Sequence, residues 1–192
     1  YGLLFHEMTA SSLVKVDQDG EVVEAGGLRR VNPAGVTIHS AVHMGREDAG
    51  AVMHLHAADG VAVSAHRDGL QPLSQTAMLC LEHLSYHEYE GVALNLDERE
   101  RLIRDLGNKS MMILRNHGLL SVGDNMAQAF GTMRRLHEAC EIQLMAQAGG
   151  GALTIPSPEI CEHTACQFDN VGGLNETAWA AELRMLDCID PS

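Results

Sequence analysis

The stretch "AVMHLHA", residues 51–57, constrains what this chain can fold into more than any other segment. It is a short apolar run with Gly50 on one side and Asp59-Gly60 just beyond the other. A run that short between turn residues reads as a strand, because a helix needs roughly ten residues or more. Side chains at i and i+2 of a strand share a face. His54 and His56 therefore project together, while Leu55 faces the opposite way, into core. A strand must find partners for its backbone groups, so the chain has to build a sheet around this pair. The spacing alone leaves two readings open: a pair that binds something, or polar filling on one strand face.

A third histidine bears on that choice. His117 sits in "LRNHGLLSVG", at the break between two apolar runs, and Gly118 follows it. A histidine at such a break is placed to look back across the sheet. Three neutral imidazoles that leave coordination positions open match a catalytic zinc site, whereas structural zinc sites are closed by four protein ligands. Imidazole selects weakly among divalent ions, so Mn²⁺, Fe²⁺ and Co²⁺ suit the same donors. The sequence predicts a divalent metal, zinc first, on His54, His56 and His117.

The rest of the chain supplies the frame. Val14 and Val16 alternate with polar neighbours, Asp19-Gly20 is a turn dipeptide, and Val22-Val23 resume the strand, so a hairpin is expected over 11–27. "GGLRRVNPAG", 26–35, reads as a loop. Beyond it Ile38 and Val42 fall four apart, as do His39 and His43, which predicts a helix. "DGVAVSAHRDG" reads as a second helix or a strand–helix mixture, and "PLSQTAMLCLEHLS" as a helix ending near Ser85. Asp97 with Glu100 gives a capping-box pattern; Leu102, Ile103 and Leu106 form an apolar face, and Gly107 marks a stop. "SMMILRNHGLLSVG" reads as strand, turn, strand. The longest helix, capped by Asp124, carries Met126, Phe130, Met133, Leu136, Cys140 and Leu144 as its stripe. After Gly149 the chain is Gly/Pro-rich and then weakly helical. Helices alternating with strands and a hairpin imply an α/β or α+β class, with a mixed or antiparallel sheet covered by helices.

Charge and cysteines narrow the partners. A formal net charge of −13 argues against nucleic acid, which needs a basic face, and against anionic membranes. No run approaches the roughly 18 apolar residues of a membrane span. Five cysteines at irregular spacing do not suggest a disulfide framework, so reduced thiols and a cytoplasmic location are expected. "CEHTAC", 161–166, lacks the second pair that a zinc knuckle brings. A length of 192 residues suits one domain over 1–192, with 150–192 as a C-terminal extension. The start at Tyr1 rather than Met suggests a preceding segment.

Taken together, "NPAGVTIHSAVH", "GAVMHLHAADGVAVSA", "LRNHGLLSVG" and "AFGTMRRLHEACEIQ" resemble the class II aldolase/adducin family. The opening strands resemble adducin head domains and their bacterial relatives. The resemblance reaches to about residue 150. It implies a three-layer α/β/α domain on a mostly antiparallel sheet, and a homo-oligomer, commonly a tetramer. It also implies zinc on an H-x-H pair and a later histidine, which map onto His54, His56 and His117.

The match fails at one place. The family's aldolases carry an acid–base glutamate 19 residues before the first metal histidine, which here is Gly35; the two preceding serines fall on Pro33 and Ala34. Glycine cannot move a proton, and abstraction next to a carbonyl needs a base in reach. The region of the family's catalytic tyrosine offers Gln75 and Thr76 instead. His39 suits either a role orienting a metal ligand or that of a hydrogen-bonded helix histidine; Glu47, Glu82, His83 and His87 are further candidates for a base. His6, His66, His137 and His163, like Tyr86 and Tyr89, suit surface or packing roles.

The expected function is a metal-dependent lyase acting on a small carbonyl or carboxylate compound, of decarboxylase or retro-aldol type. The alternatives are a non-catalytic, adducin-like assembly domain, and a sugar-phosphate aldolase or epimerase with a substituted base.

Overall fold

The computed structural model describes residues 3–24, 31–169 and 174–189. The chain divides into two compact units, Tyr1–Glu47 with Glu90–Arg104, and Asp48–Tyr89 with Asp105–Ser192.

In the first unit, β1 (Lys15–Val16) and β2 (Val22–Glu24) pair antiparallel as the sequence predicts. Asp17 builds the turn: its Oδ1 accepts from the amides of Asp19 at 3.0 Å and Glu21 at 2.9 Å. Gly20 takes a φ of +86°, which L side chains resist. The loop expected over 26–35 lies partly outside the described residues, and its end is corrected. Helix α1 (Pro33–Gly45) already begins at Pro33. Proline punctuates a loop, but at the first helical position its missing N–H costs nothing. Asn32 completes the start, its Oδ1 accepting from Ala34 N–H at 3.2 Å. Ile38, Ala41 and Val42 form the buried face of α1. Gly45 lets this helix approach Ile103 closely, since a Cβ there would stand 2.7 Å from that side chain.

Ile103 belongs to α4 (Glu98–Leu106), whose last two residues fall in the second unit. Leu102 and Leu106 are buried, and Gly107 stops the helix at φ +53°.

The second unit holds a four-stranded sheet. Its strands are β3 (Ala51–Leu55), β4 (Leu84–His87), β5 (Met111–Leu114) and β6 (Gly118–Gly123), in the order β3-β6-β5-β4. The β3–β6 and β6–β5 pairs are antiparallel and β5–β4 is parallel, so the sheet is mostly antiparallel. Every residue of β5 and β6 is buried. A sheet covered on both faces is the middle layer of an α/β/α sandwich. Helix α2 (Ala58–Ser64) resolves the ambiguity over "DGVAVSAHRDG" in favour of helix. It packs against the long α5 (Met126–Ala148), as does α3 (Gln75–Leu81). The core comprises Val63, Leu70, Cys80, Ile113, Leu119, Met133, Leu136 and Cys140 among others.

Three expectations shift here. Helix α3 ends at Leu81, not near Ser85, because Met111 N–H finds His83 O at 3.0 Å and draws 84–87 into the sheet as β4. Leu84 and Tyr86 then both pack on the core at strand spacing. The cap of α5 is Asn125 rather than Asp124: Asn125 Oδ1 accepts from Gln128 N–H at 3.0 Å, and Gln128 Oε1 accepts from Asp124 N–H at 3.2 Å. Met126 is exposed, outside the stripe, where Ala129 and Ala139 are buried. "CEHTAC" lies on a helix of its own, α6 (Pro158–Asp169), and α7 (Leu174–Ile189) follows against α5. The five cysteines form no disulfide. Among the described residues no helix is long and apolar enough to cross a membrane.

Candidate metal centre

Two local devices bring the three histidines together. His54 lies in β3 opposite Leu120 of β6, and His56 follows just past the strand end. His117 lies in the turn that returns β5 into β6. That turn closes through His117 N–H to Leu114 O at 3.1 Å, with Asn116 at φ +54°. Asparagine tolerates that region better than other side chains do. Gly118 starts β6 so close to β3 that a Cβ would meet Leu55 O at 2.5 Å and His56 Cδ2 at 3.2 Å. The glycine after the histidine is therefore what lets the turn sit against the end of β3.

The three Nε2 atoms converge. His56 Nε2 stands 2.9 Å from His54 Nε2 and 2.9 Å from His117 Nε2, and the third side is 3.3 Å. The rings meet edge to face, with centroids 4.7–4.8 Å apart. His54 Nδ1 lies 2.9 Å from Leu119 O, which can only accept, so Nδ1 carries the proton and Nε2 presents a lone pair. Burial, and then the neighbouring imidazoles of His56 and His87, hold the His117 pKa below its ordinary value, favouring its neutral, ligating form. His54 and His117 are half-buried and His56 is exposed, which leaves one side of the triangle open.

This donor set fits a metal. A single proton shared between ring nitrogens satisfies one edge of such a triangle, whereas a cation serves all three lone pairs at once. In a tetrahedron with Zn–N bonds of about 2.0–2.1 Å the nitrogens stand about 3.3 Å apart, close to the spacing found here. Among the described residues this is the cluster of three His, Cys, Asp or Glu side chains able to hold an ion.

The remaining candidates have surroundings of their own. Gly35 occupies the first turn of α1 in the first unit, where an added Cβ would make only an ordinary contact with Asn32, at 3.8 Å. With Asn32, Val36, His39 and His43 it lines a cavity of about 870 Å³ beside the β1–β2 turn. Burial, and then His43, lower the pKa of His39. Gln75 opens α3 and Thr76 follows it, Thr76 O accepting from Cys80 Sγ. Tyr86 packs: its hydroxyl accepts from Leu70 N–H at 3.0 Å and Arg115 lies over its ring. His137 pairs with Asp59 at 3.4 Å. What sequence reasoning missed is Asp105, whose carboxylate takes His87 Nδ1 at 2.8 Å. Its position in the last turn of α4 gave no signal for that contact.

Comparison with known proteins places this geometry. Residues 1–144 match the family model described as the class II aldolase and adducin N-terminal domain. A crystal structure of an aldolase II superfamily protein from Pseudomonas syringae is 46% identical, with a TM-score of 0.90 over 97% of this chain and 75% of that one. The L-fuculose 1-phosphate aldolase from Glaciozyma antarctica PI12 is 28% identical, with a TM-score of 0.82 over 99% of this chain and 73% of that one. Alpha-adducin of Rattus norvegicus is 46% identical over 154 residues, 78% of this chain but 21% of adducin.

Proposed function

The chain belongs to the class II aldolase and adducin family, and from that premise we propose that it is a metal-dependent lyase acting on a small carbonyl or carboxylate compound. The observation that carries the proposal is the convergence of three imidazole Nε2 atoms within 2.9–3.3 Å of one another. On this reading His54, His56 and His117 hold one divalent ion, zinc in the first place, with manganese, iron or cobalt as alternatives. What such an ion supplies when bound is Lewis acidity towards a carbonyl or carboxylate oxygen.

The chain's own groups do the rest. Leu119 O fixes the His54 tautomer and ring orientation from outside the triangle. The open side at His56 admits a small molecule. Position 35, which in the related aldolases carries the acid–base glutamate, is glycine here and offers no proton acceptor. Loss of CO₂ needs no initial C–H proton abstraction, so decarboxylation suits this site better than aldol chemistry run by a carboxylate base. The family's habit of assembly supports a homo-oligomer, with a tetramer as the proposal, and five cysteines without a disulfide support a cytoplasmic location.

The test is turnover by the metal-loaded protein on a panel of 2-oxo acids, aromatic carboxylates and sugar phosphates. Release of CO₂ or carbon–carbon cleavage that disappears in His117→Ala supports the proposal; no turnover on any member contradicts it. A second reading, a non-catalytic assembly domain, draws on the 46% identity to alpha-adducin. It predicts purified protein that contains no metal and turns over nothing, yet self-associates.

A further inference from the structure

His87 is the one histidine of this chain that is almost wholly buried, its side chain 2% exposed. A buried imidazole is costly unless hydrogen-bonded, and here Asp105 supplies the partner at 2.8 Å. The place of this pair in the sheet connects it to the candidate metal centre. His87 ends β4 and stands in register with Leu114, which ends β5. His87 O then accepts from Arg115 N–H at 2.8 Å, and Leu114 O accepts from His117 N–H at 3.1 Å. The backbone of His87 thus holds the first residue of the turn that presents His117, while its side chain is fixed by a carboxylate.

We propose that the buried Asp105–His87 pair is a positioning unit for the turn that presents His117, setting how tightly the three-histidine site holds a divalent cation. This rests on the metal-binding reading of His54, His56 and His117. Asp105 accepts from His87 Nδ1–H and fixes that residue at the end of β4, where its carbonyl holds Arg115 N–H. The parallel β4–β5 pairing keeps the turn at a fixed height beside it. Groups outside the ligand shell that orient or polarise a metal-binding histidine typically change affinity by about 10- to 100-fold when lost. Here the action passes through His87, so an effect near the lower end is expected.

The experiment is a competition titration of Zn²⁺, with the Co²⁺ absorption spectrum as a second readout, on wild type, Asp105→Asn, His87→Gln and His117→Ala. Asp105→Asn keeps one oxygen able to accept from His87 Nδ1–H but replaces the charge-assisted hydrogen bond by a weaker neutral one. The proposal expects Asp105→Asn to weaken Zn²⁺ binding about tenfold, with an altered Co²⁺ spectrum and a native fold by circular dichroism. A merely structural pair would lower the unfolding temperature and leave affinity per folded molecule unchanged. His87→Gln carries the same expectation and decides the matter should Asp105→Asn not fold. Wild-type affinity in both variants, beside loss of binding in His117→Ala, overturns the proposal while leaving the site assignment standing. If wild type itself binds no more Zn²⁺ than His117→Ala, the three-histidine reading fails and the proposal falls with it.

Discussion

The turn that carries His117 and the first turn of α1 answer the same family template in opposite ways. Around His117 the geometry is over-determined. Gly118 is fixed by the approach of Leu55 O, Asn116 holds a left-handed φ, and Leu119 O holds the ring of His54. The start of α1 carries Pro33, Ala34 and Gly35. Those serve the helix: proline suits its first position, Asn32 caps it, and a Cβ at Gly35 would make only an ordinary contact with Asn32. The lesson is that the turn at His117 is held by contacts from several elements, while the first turn of α1 is an ordinary helix start.

The largest effect should come from removing a ligand. His117→Ala is expected to weaken divalent-metal binding about a hundredfold or more, read by calorimetry or metal content after dialysis. An unchanged metal content would break the comparison at its rigid end. Next comes Gly118→Ala, which sets a Cβ 2.5 Å from Leu55 O and 3.2 Å from His56. It should destabilise the fold by about 2 kcal/mol in denaturant titration, and it should also lower metal uptake. Loss of stability with full uptake would show that the glycine serves packing alone.

A pH series probes both regions at smaller amplitude. Burial holds the pKa values of His117 and His39 below the ordinary 6.5. Such a group takes up its proton more readily in the unfolded chain. The stability it contributes is therefore complete above about 6.5 and falls as pH drops through that value towards the folded pKa. Metal-free protein should show a declining denaturation midpoint as it is acidified from neutral pH, and His39→Gln should decline less. A midpoint independent of pH would contradict the burial argument. The smallest effect belongs to Gly35→Ala. With ordinary van der Waals space for a Cβ and a helical backbone, it should stabilise by about 0.5 kcal/mol and leave metal affinity unchanged. Destabilisation there would mean that position 35 is constrained after all.

The same contrast governs what could be read from residues alone. The β3 strand and the turn before β6 are legible because strand period and turn chemistry are local; in the structure they place the ring nitrogens of His54, His56 and His117 close together. Boundaries decided by distant partners were not. Leu84–His87 continue the apolar pattern of α3, and only the pairing of Met111 with His83 turns them into a strand. Pro33 looked like a breaker until Asn32 was seen to cap behind it. Asp105 carries no sequence signal for its contact with His87, which joins residues eighteen apart in sequence. Spacing within one element shows which side chains share a face; it does not find the groups that other elements place behind them.

The central claim is that three imidazoles hold one ion. X-ray absorption at the zinc edge of the zinc-loaded protein tests it most directly. The account predicts one tightly bound zinc per chain, with a first shell of nitrogen and oxygen at about 2.0–2.1 Å and the multiple-scattering signature of three imidazoles. A shell containing sulfur at about 2.3 Å, or zinc bound equally well in His54→Ala, would contradict it.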